Sequence, residues 1–426
     1  MKSVLKIDAL REAVARMPND RLSDARAAAL QHLDDQGTPT PRHEDWKYTN
    51  LASVIDISNQ WLADGAASDT SRSSSEAIDD VTSRFDAYWL IIANGRVDRD
   101  SITLAQDAGF GIGLLSESGA ALEFDAPLAD LNVALLHDGI RVQIKTETVL
   151  DKPIGILIID KATAAVGVTQ ARVEIEIAAN GAASFIEYHV SSGTAAHYAN
   201  TVVNLDLGEN ASVDYVRIQD RNRAHSQTSR LCARLGRDSR FRHCAFDLGG
   251  KLVRNDLNIQ VIGPGSSASF HGLYLASDGQ HIDNHTRIDH RVGPASSRQE
   301  YRGILSGSSR CVWNGKVIVH AGADGTDAEQ ANHNLLLSEN AEIDAKPELE
   351  IYADDVKCAH GTTIGTLDEG ALFYLRTRGL DAQEGRQLLT RAFAQIIVNM
   401  TPITAMQETI SGIVADRLAN LIDGVK

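Results

Sequence analysis

Two clusters in this sequence hold residue types that bind metals or move protons. The first is Asp354-Asp-Val-Lys-Cys-Ala-His-Gly361, in which Cys358 and His360 stand two apart. On an extended backbone, side chains at that spacing point to one face. A thiolate beside an imidazole suits a soft or borderline metal such as iron. Two ligands do not close a site, so a metal there needs further residues or another chain. The plainer reading is a half-buried cysteine and a surface histidine at a domain junction. The second cluster is His281-Ile-Asp-Asn-His285-Thr-Arg-Ile-Asp-His290, with Asp283 and Asp289 interleaved. On a strand, His281 and His285 share a face and His290 takes the other. The expectation there is a polar row on the exposed face of a β-layer, not a ligand set.

Other chemistry is sparse. The chain has no GxSxG elbow, no HExxH and no GxxxxGK[ST] phosphate loop. Gly263-Pro-Gly265 reads as a turn, because no helical pattern follows it. No catalytic residue is assigned. With 57 acidic against 41 basic residues, the formal charge is −16, which repels phosphate backbones and argues against a nucleic-acid partner. Cys232, Cys244, Cys311 and Cys358 contain no CxxC and no disulfide framework, so they read as reduced thiols. No run approaches the roughly 20 apolar residues that span a bilayer. The N-terminus lacks the apolar core of a secretory signal. A cytoplasmic protein without a membrane segment is the expectation.

The elements that must position these residues fall into three zones. Leu5, Leu10, Val14 and Met17, then Ala27, Leu30 and Leu33, carry helical spacing, and Gly37-Thr-Pro-Thr-Pro41 ends that region. Residues 65–80 are small and polar, as in a mobile linker. From about residue 86 to 355, short apolar or alternating runs recur without helical interludes. Examples are Tyr88–Ile92, Gly155–Ile159, Val173–Ile177, Thr201–Leu207 and Leu257–Ile262. Asn180 and Asn210 sit in similar polar turns 30 residues apart, a plausible coil length. A sandwich or jelly roll and a parallel β-helix both fit this zone. From about residue 356 the helical signals return. Thr366 with Glu369 has the capping-box spacing, Gly379 marks a stop, and Asp381 with Glu384 opens a longer helix. That helix carries Leu388, Leu389, Phe393 and Ile397, Pro402 closes it, and a last helix is expected over about 404–422. Its apolar stripe is wider than one face requires, which favours a second contact.

Several of these stretches resemble one family. Cys358-Ala-His-Gly-Thr-Thr-Ile-Gly-Thr-Leu-Asp-Glu369 with Ala371-Leu-Phe-Tyr-Leu-Arg-Thr-Arg-Gly379 resembles the C-terminal signature of the SufB/SufD family of iron–sulfur cluster assembly. Arg42-His-Glu-Asp-Trp-Lys-Tyr-Thr49, Trp313-Asn-Gly-Lys316, Leu335-Leu-Leu-Ser338 and Pro347-Glu-Leu-Glu-Ile-Tyr-Ala-Asp-Asp-Val-Lys-Cys358 are similar to it as well. The likeness is to its SufD branch. SufB-like chains carry a cysteine where this one reads Ala331-Asn-His-Asn-Leu-Leu336, and tend to have EHEA where this one has Cys358-Ala-His-Gly361.

The resemblance implies a right-handed parallel β-helix core (86–355) between an N-terminal helical domain (1–85) and a C-terminal helical domain (356–426). It implies a non-catalytic subunit of a complex with SufB and the ATPase SufC. Cys358 and His360 would lie at the SufB interface, where iron or a transient iron–sulfur cluster is shared and no cofactor is tightly held by the chain alone. The SufC-docking element would span about Thr366 to Met400, with Leu372, Phe373, Leu375, Arg378, Leu388, Leu389 and Phe393 as contacts. Self-association of the isolated chain is a further option. The rival functions are a solenoid carbohydrate-active enzyme, disfavoured by an aromatic content of 5%, and a free-standing His-rich metal-binding protein.

Overall fold

Strands that alternate inward apolar and outward polar side chains dictate the architecture. The structure, a computed structural model, describes residues 4–66, 75–105, 109–118, 122–123 and 126–423. The first strands are β1 (Tyr88–Ala93), β2 (Arg96–Val97), β3 (Gly111–Leu114), β4 (Ile140–Ile144), β5 (Ile154–Lys161), β6 (Gly167–Ile177) and β7 (Ala182–Ser192). The middle ones are β8 (His197–Leu207), β9 (Ser212–Asp220), β10 (His225–Leu235), β11 (Arg240–Asp247), β12 (Leu252–Val261) and β13 (Ser267–Ala276). The last are β14 (His281–His290), β15 (Ser296–Leu305), β16 (Arg310–Val319), β17 (Asp327–Leu336), β18 (Glu342–Ile351) and β19 (Lys357–Gly365).

From β4 onward, odd and even strands go to different sheets. One sheet runs β19-β17-β15-β13-β11-β9-β7-β5-β1-β2 and the other β18-β16-β14-β12-β10-β8-β6-β4-β3. Neighbours pair in parallel, as in β7 with β9 and β8 with β10, so the chain winds as a solenoid and the sandwich reading is excluded. Strands of the first sheet begin at Ala182, Ser212, Arg240, Ser267, Ser296, Asp327 and Lys357, about thirty residues per coil. The Asn180–Asn210 spacing is that period. Both residues hold a positive φ (60° and 54°), which Asn tolerates, and Asn210 Nδ2 donates to Asn180 Oδ1 at 2.9 Å.

The principal core lies inside the coils, where Leu90, Ile156, Phe185, Val203, Ile259 and Trp313 are buried. Helices then cover both outer faces. Helices α1 (Ile7–Ala15), α2 (Ser23–Gln36) and α3 (Ala52–Ala63) belong to a second cluster, in which Val54 and Trp61 join Val168, Tyr198 and Leu252 of the nine-stranded sheet. The expected linker near 65–80 divides in two. Residues 67–74 lie outside the described residues, and from Ser75 the chain is helical, as α4 (Ser75–Thr82). Ala77, Ile78 and Val81 recur at helical spacing within its polar sequence and pack into a core cluster, which is why the helix forms.

Two expected boundaries also shift. The zone from 86 to 355 is interrupted by α5 (Arg99–Ala105), α6 (Leu115–Ser118) and α7 (Pro127–Ala134). Helix α7 starts at Pro127, where a missing N–H costs nothing, and buries Leu131, Val133 and Ala134. At the other end, residues 357–365 are not helical but form β19, the last strand of the solenoid. Helices α8 (Glu369–Thr377), α9 (Ala382–Asn399) and α10 (Gln407–Asp423) follow. Ala394, Ile397, Val398, Ile410 and Val414 pack there with Ile186, Val216, Phe246 and Ile304 of the ten-stranded sheet.

Candidate functional site

The two sheets end at β18 and β19. Strand β18 pairs only with β16, and β19 only with β17, so each presents a free edge among the described residues. Cys358 is in register with Ala328 and His360 with Gln330, both buried and both one residue out of phase with outward-facing neighbours. Cys358 and His360 therefore share the inward-facing side of β19, as their spacing implies. Here the coil has no successor. Cys358 is half-buried against the solenoid core, His360 is exposed, and Ile364 is 53% exposed. Gln330, below His360, is buried and neither atom of its side-chain amide has a partner. Burial pushes the Cys358 thiol above its ordinary value, so it is protonated at neutral pH. Among the described residues no three His, Cys, Asp or Glu side chains converge to hold a metal ion. Two such side chains do not by themselves close a metal site.

The His281–His290 cluster has a different setting from the one expected. His281, Asp283 and His285 do share an outward face of β14, but that face is covered. Thr49 Oγ1 donates to Asp283 Oδ2 at 2.5 Å and lies 2.7 Å from His281 Nε2. Arg254 Nη1 donates to Asp283 at 2.6 Å and to the Asp45 carbonyl at 2.9 Å, with its guanidinium 4.4 Å from the Trp46 ring centre. The Arg42–Thr49 segment is thus a strap seated on β12 and β14. His290 faces inward, is fully buried and lies 3.0 Å from Ser297 Oγ. Burial lowers its pKa to about 4. The strap and its seat are more than 200 residues apart in sequence, so local patterning could not pair them.

Inside the coils lies a polar network that sequence reading did not single out. His189 donates from Nε2 to Glu187 at 2.6 Å, and Tyr215 donates to the other Glu187 oxygen at 2.5 Å. Arg217 bonds Asp247 at 2.9 Å and Asn255 at 2.6 Å. Burial opposes the Glu187 charge, but His189 and Arg217 hold its pKa below the ordinary value. Burial also lowers that of His189. The pair is therefore a carboxylate and a neutral imidazole. The signal was available: Glu187, Arg217 and Asp247 recur every 30 residues at inward positions of apolar strands. These groups are enclosed and tie neighbouring coils together, although His189 Nδ1 is buried without a hydrogen-bond partner among the described residues.

The C-terminal helices sort the expected contacts by exposure. Phe373 is 67% exposed and Leu388 48% exposed, and Arg378 is exposed with its guanidinium over the Tyr374 ring. Leu375 and Leu389 are half-buried, whereas Leu372 is buried. Phe393 faces the solenoid, with the Arg302 guanidinium 4.8 Å from its ring centre, so it is partly spent on internal packing. Tyr374 and Ile396, which were not among the expected docking contacts, join the exposed apolar set. The cap of α8 is Asp368, not Thr366. The Asp368 carboxylate accepts from the Gly370 and Ala371 N–H groups, because β19 and its exit occupy the chain up to Leu367. Asp381 and Glu384 form the capping box of α9, and Gly379 takes the left-handed turn between the helices at φ 96°.

A parallel β-solenoid with helical flanks sets the fold class, and comparison with known proteins gives the family. Residues 158–393 match the family described as SUF system FeS cluster assembly, SufBD core domain. The chain belongs to this SufBD family. It is 30% identical over 401 residues to an iron–sulfur cluster assembly SufBD family protein of Mycobacterium leprae, covering 91% of this chain and 92% of that one. It is 28% identical over 394 residues, 91% of each chain, to the iron–sulfur cluster assembly protein SufD of Escherichia coli. SufD of Bacillus subtilis is 22% identical over 411 residues, 92% of this chain and 93% of that one. The chain is a SufD-like component of iron–sulfur cluster assembly. None of its described helices is long and apolar enough to cross a membrane.

Proposed function

We propose that the chain is a non-catalytic subunit whose last coil joins a SufB-type solenoid, and whose C-terminal helices dock a SufC-type ATPase in the cytoplasm. The observation that carries this reading is the free double edge of β18 and β19, with Cys358 and His360 on its inward side. An exposed edge is a liability that folded proteins cover, and pairing with another chain is the direct way to cover it. The partner then adds the donors that the doublet lacks. Iron, sulfide or a nascent cluster passes through this composite site as cargo, and the chain keeps no cofactor of its own. Inside the interface, a ligand or charge from the partner is what would draw the proton from Cys358, and the imidazole of His360 is an acceptor within the same face.

The second contact uses the exposed stripe of α8 and α9, with Phe373, Leu388 and Ile396 as apolar anchors and Arg378 at its border. ATP hydrolysis belongs to the docked subunit, whose closure would transmit force into the solenoid through α9 and α10.

Co-purification tests the reading. A tagged chain co-expressed with a SufB-type and a SufC-type protein should retain both. Leu388→Asp should release the ATPase and leave the solenoid partner bound. His360→Ala should leave both bound and lower the yield of assembled cluster. Normal cluster yield from the His360→Ala complex would remove the proposed role of this residue.

A further inference from the structure

A cleft of about 1000 Å³ crosses the outer face of the nine-stranded sheet over β8, β10, β12, β14 and β16. None of its lining residues belongs to β18, β19 or the C-terminal helices. One wall carries Pro39 and the strap residue Trp46, and the other carries Pro127 and Leu128 at the start of α7. The floor is a row in register: Asn204, Cys232, Asn258, Arg287 and Lys316. Its outer members are tied down, Asn204 to Glu174, Arg287 to Asp289 and Lys316 to Glu350. A central member is not. Asn258 Nδ2 is buried and has no hydrogen-bond partner among the described residues, which costs stability unless something else supplies an acceptor.

Charge does not choose the occupant. Acidic and basic side chains line the cleft in near balance, and many are already paired, as Arg254 is with Asp283 and Asp256. A nucleic-acid strand or a polyphosphate therefore meets no surplus of cations. The floor offers carboxamides, which hydrogen-bond an uncharged main chain. The same face already holds one stretch of main chain in this way. Arg254 donates to the Asp45 carbonyl of the strap at 2.9 Å, with its guanidinium 4.4 Å from the Trp46 ring centre. The cleft continues that seat over strands the strap leaves bare. We propose that it receives an extended, uncharged segment of another protein chain, laid along the solenoid axis beside the strap. A main-chain carbonyl of that segment accepts from Asn258 Nδ2, and its apolar side chains meet Trp46, Pro39, Pro127 and Leu128. Five strands at a spacing of about 4.8 Å span roughly 19 Å, the length of about six extended residues.

Two half-buried thiols make the test internal, since Cys232 lies in the floor of the cleft and Cys358 lies outside it. A random peptide library displayed on phage is selected against the full-length chain, and the enriched peptides are synthesised. They should carry little net charge. At saturation they should abolish N-ethylmaleimide labelling of Cys232, followed by mass spectrometry, and leave labelling of Cys358 unchanged. Asn258→Ala should weaken their binding roughly tenfold, the weight of one hydrogen bond to a buried group, without lowering the unfolding midpoint. The labelling is read on the unaltered chain, so it does not depend on how the variant folds. Failure to enrich any peptide overturns the proposal, as does enrichment of strongly charged ones. Protection of Cys358 in place of Cys232, or equal affinity for a folded Asn258→Ala chain, overturns it as well.

Discussion

The two ends of the solenoid obey opposite rules. At its beginning, β1 buries Leu90 and Ile92 completely, and β2 folds back antiparallel along its edge. An edge donor there, the Ile91 N–H, is satisfied by Ser101 Oγ of α5 at 3.1 Å. Strand β3 closes the second sheet in the same antiparallel manner. At the other end, β18 is half-buried over most of its length and β19 is exposed at all but Cys358. Parallel coils have no built-in way to stop, so each end needs a separate device. The first end is finished by the chain's own hairpin and helices, whereas the second is left open among the described residues and, on the function proposed above, awaits a partner. The contrast tells a structural cap from a functional one.

Truncation of inward residues should break or confirm the contrast most strongly. Trp313 fills the penultimate coil and is fully buried, so Trp313→Ala should cost about 3–5 kcal/mol. Leu90→Ala at the closed end should cost about 2–5 kcal/mol. Ile364→Ala, one coil beyond Trp313, should change the isolated chain by no more than about 0.5 kcal/mol. Urea midpoints at constant slope provide the comparison. A large loss at Ile364 would mean that the mouth is covered in the isolated chain.

Acid should attack the closed interior before the open mouth. Burial lowers the pKa of His197 to about 4, of His243 to about 3 and of His290 to about 4. Each is neutral when folded and takes up a proton more readily when unfolded, near pH 6.5. The stability they contribute is complete above the unfolded value and declines as pH falls from there through the folded value. Each adds a slope approaching about 1.4 kcal/mol per pH unit in that window. His243 stacks with Tyr215 and Phe241, so His243→Phe preserves the stack. It should flatten the acid limb by that amount. An unchanged limb in urea titrations at pH 6 and 5 would place acid sensitivity elsewhere.

How much of this was legible follows from the range over which each feature is encoded. The Asp381–Glu384 capping box and the Asn180–Asn210 turn pair are local or strictly periodic, and both lie where the sequence puts them. The shared face of Cys358 and His360 needed only the two-residue period of a strand, although their strand had been assigned to the helical domain. Thr366 misled because T-x-x-E fits a cap equally well two residues before the actual Asp368. The strap was the largest surprise. A row of His and Asp on a strand looks solvent-facing until a distant segment is found lying over it, and only tertiary packing brings Thr49 to Asp283. Exposure on α8 and α9 was equally hidden, since Leu372 and Phe373 are neighbours in sequence with opposite fates.

The strap offers the finest test, because it reaches from the covered coils toward the open end. Its hold on β14 is buried: Thr49 donates to an Asp283 carboxylate that Arg254 keeps well below the usual carboxylate range. Thr49→Val removes one donor but leaves Arg254 and His285 on that carboxylate, so the expected loss is about 1 kcal/mol. Its hold on β18 is superficial. Glu44 meets Lys346 at 2.8 Å in open solvent, where such pairs contribute little. Glu44→Gln should therefore leave the unfolding midpoint unmoved. It should instead quicken amide exchange in residues 342–351 alone, because that strand has only one hydrogen-bonded neighbour to protect it. Were Glu44→Gln to lower the midpoint as much as Thr49→Val, the strap would be closing the last coil by itself, and the two ends would not differ in kind.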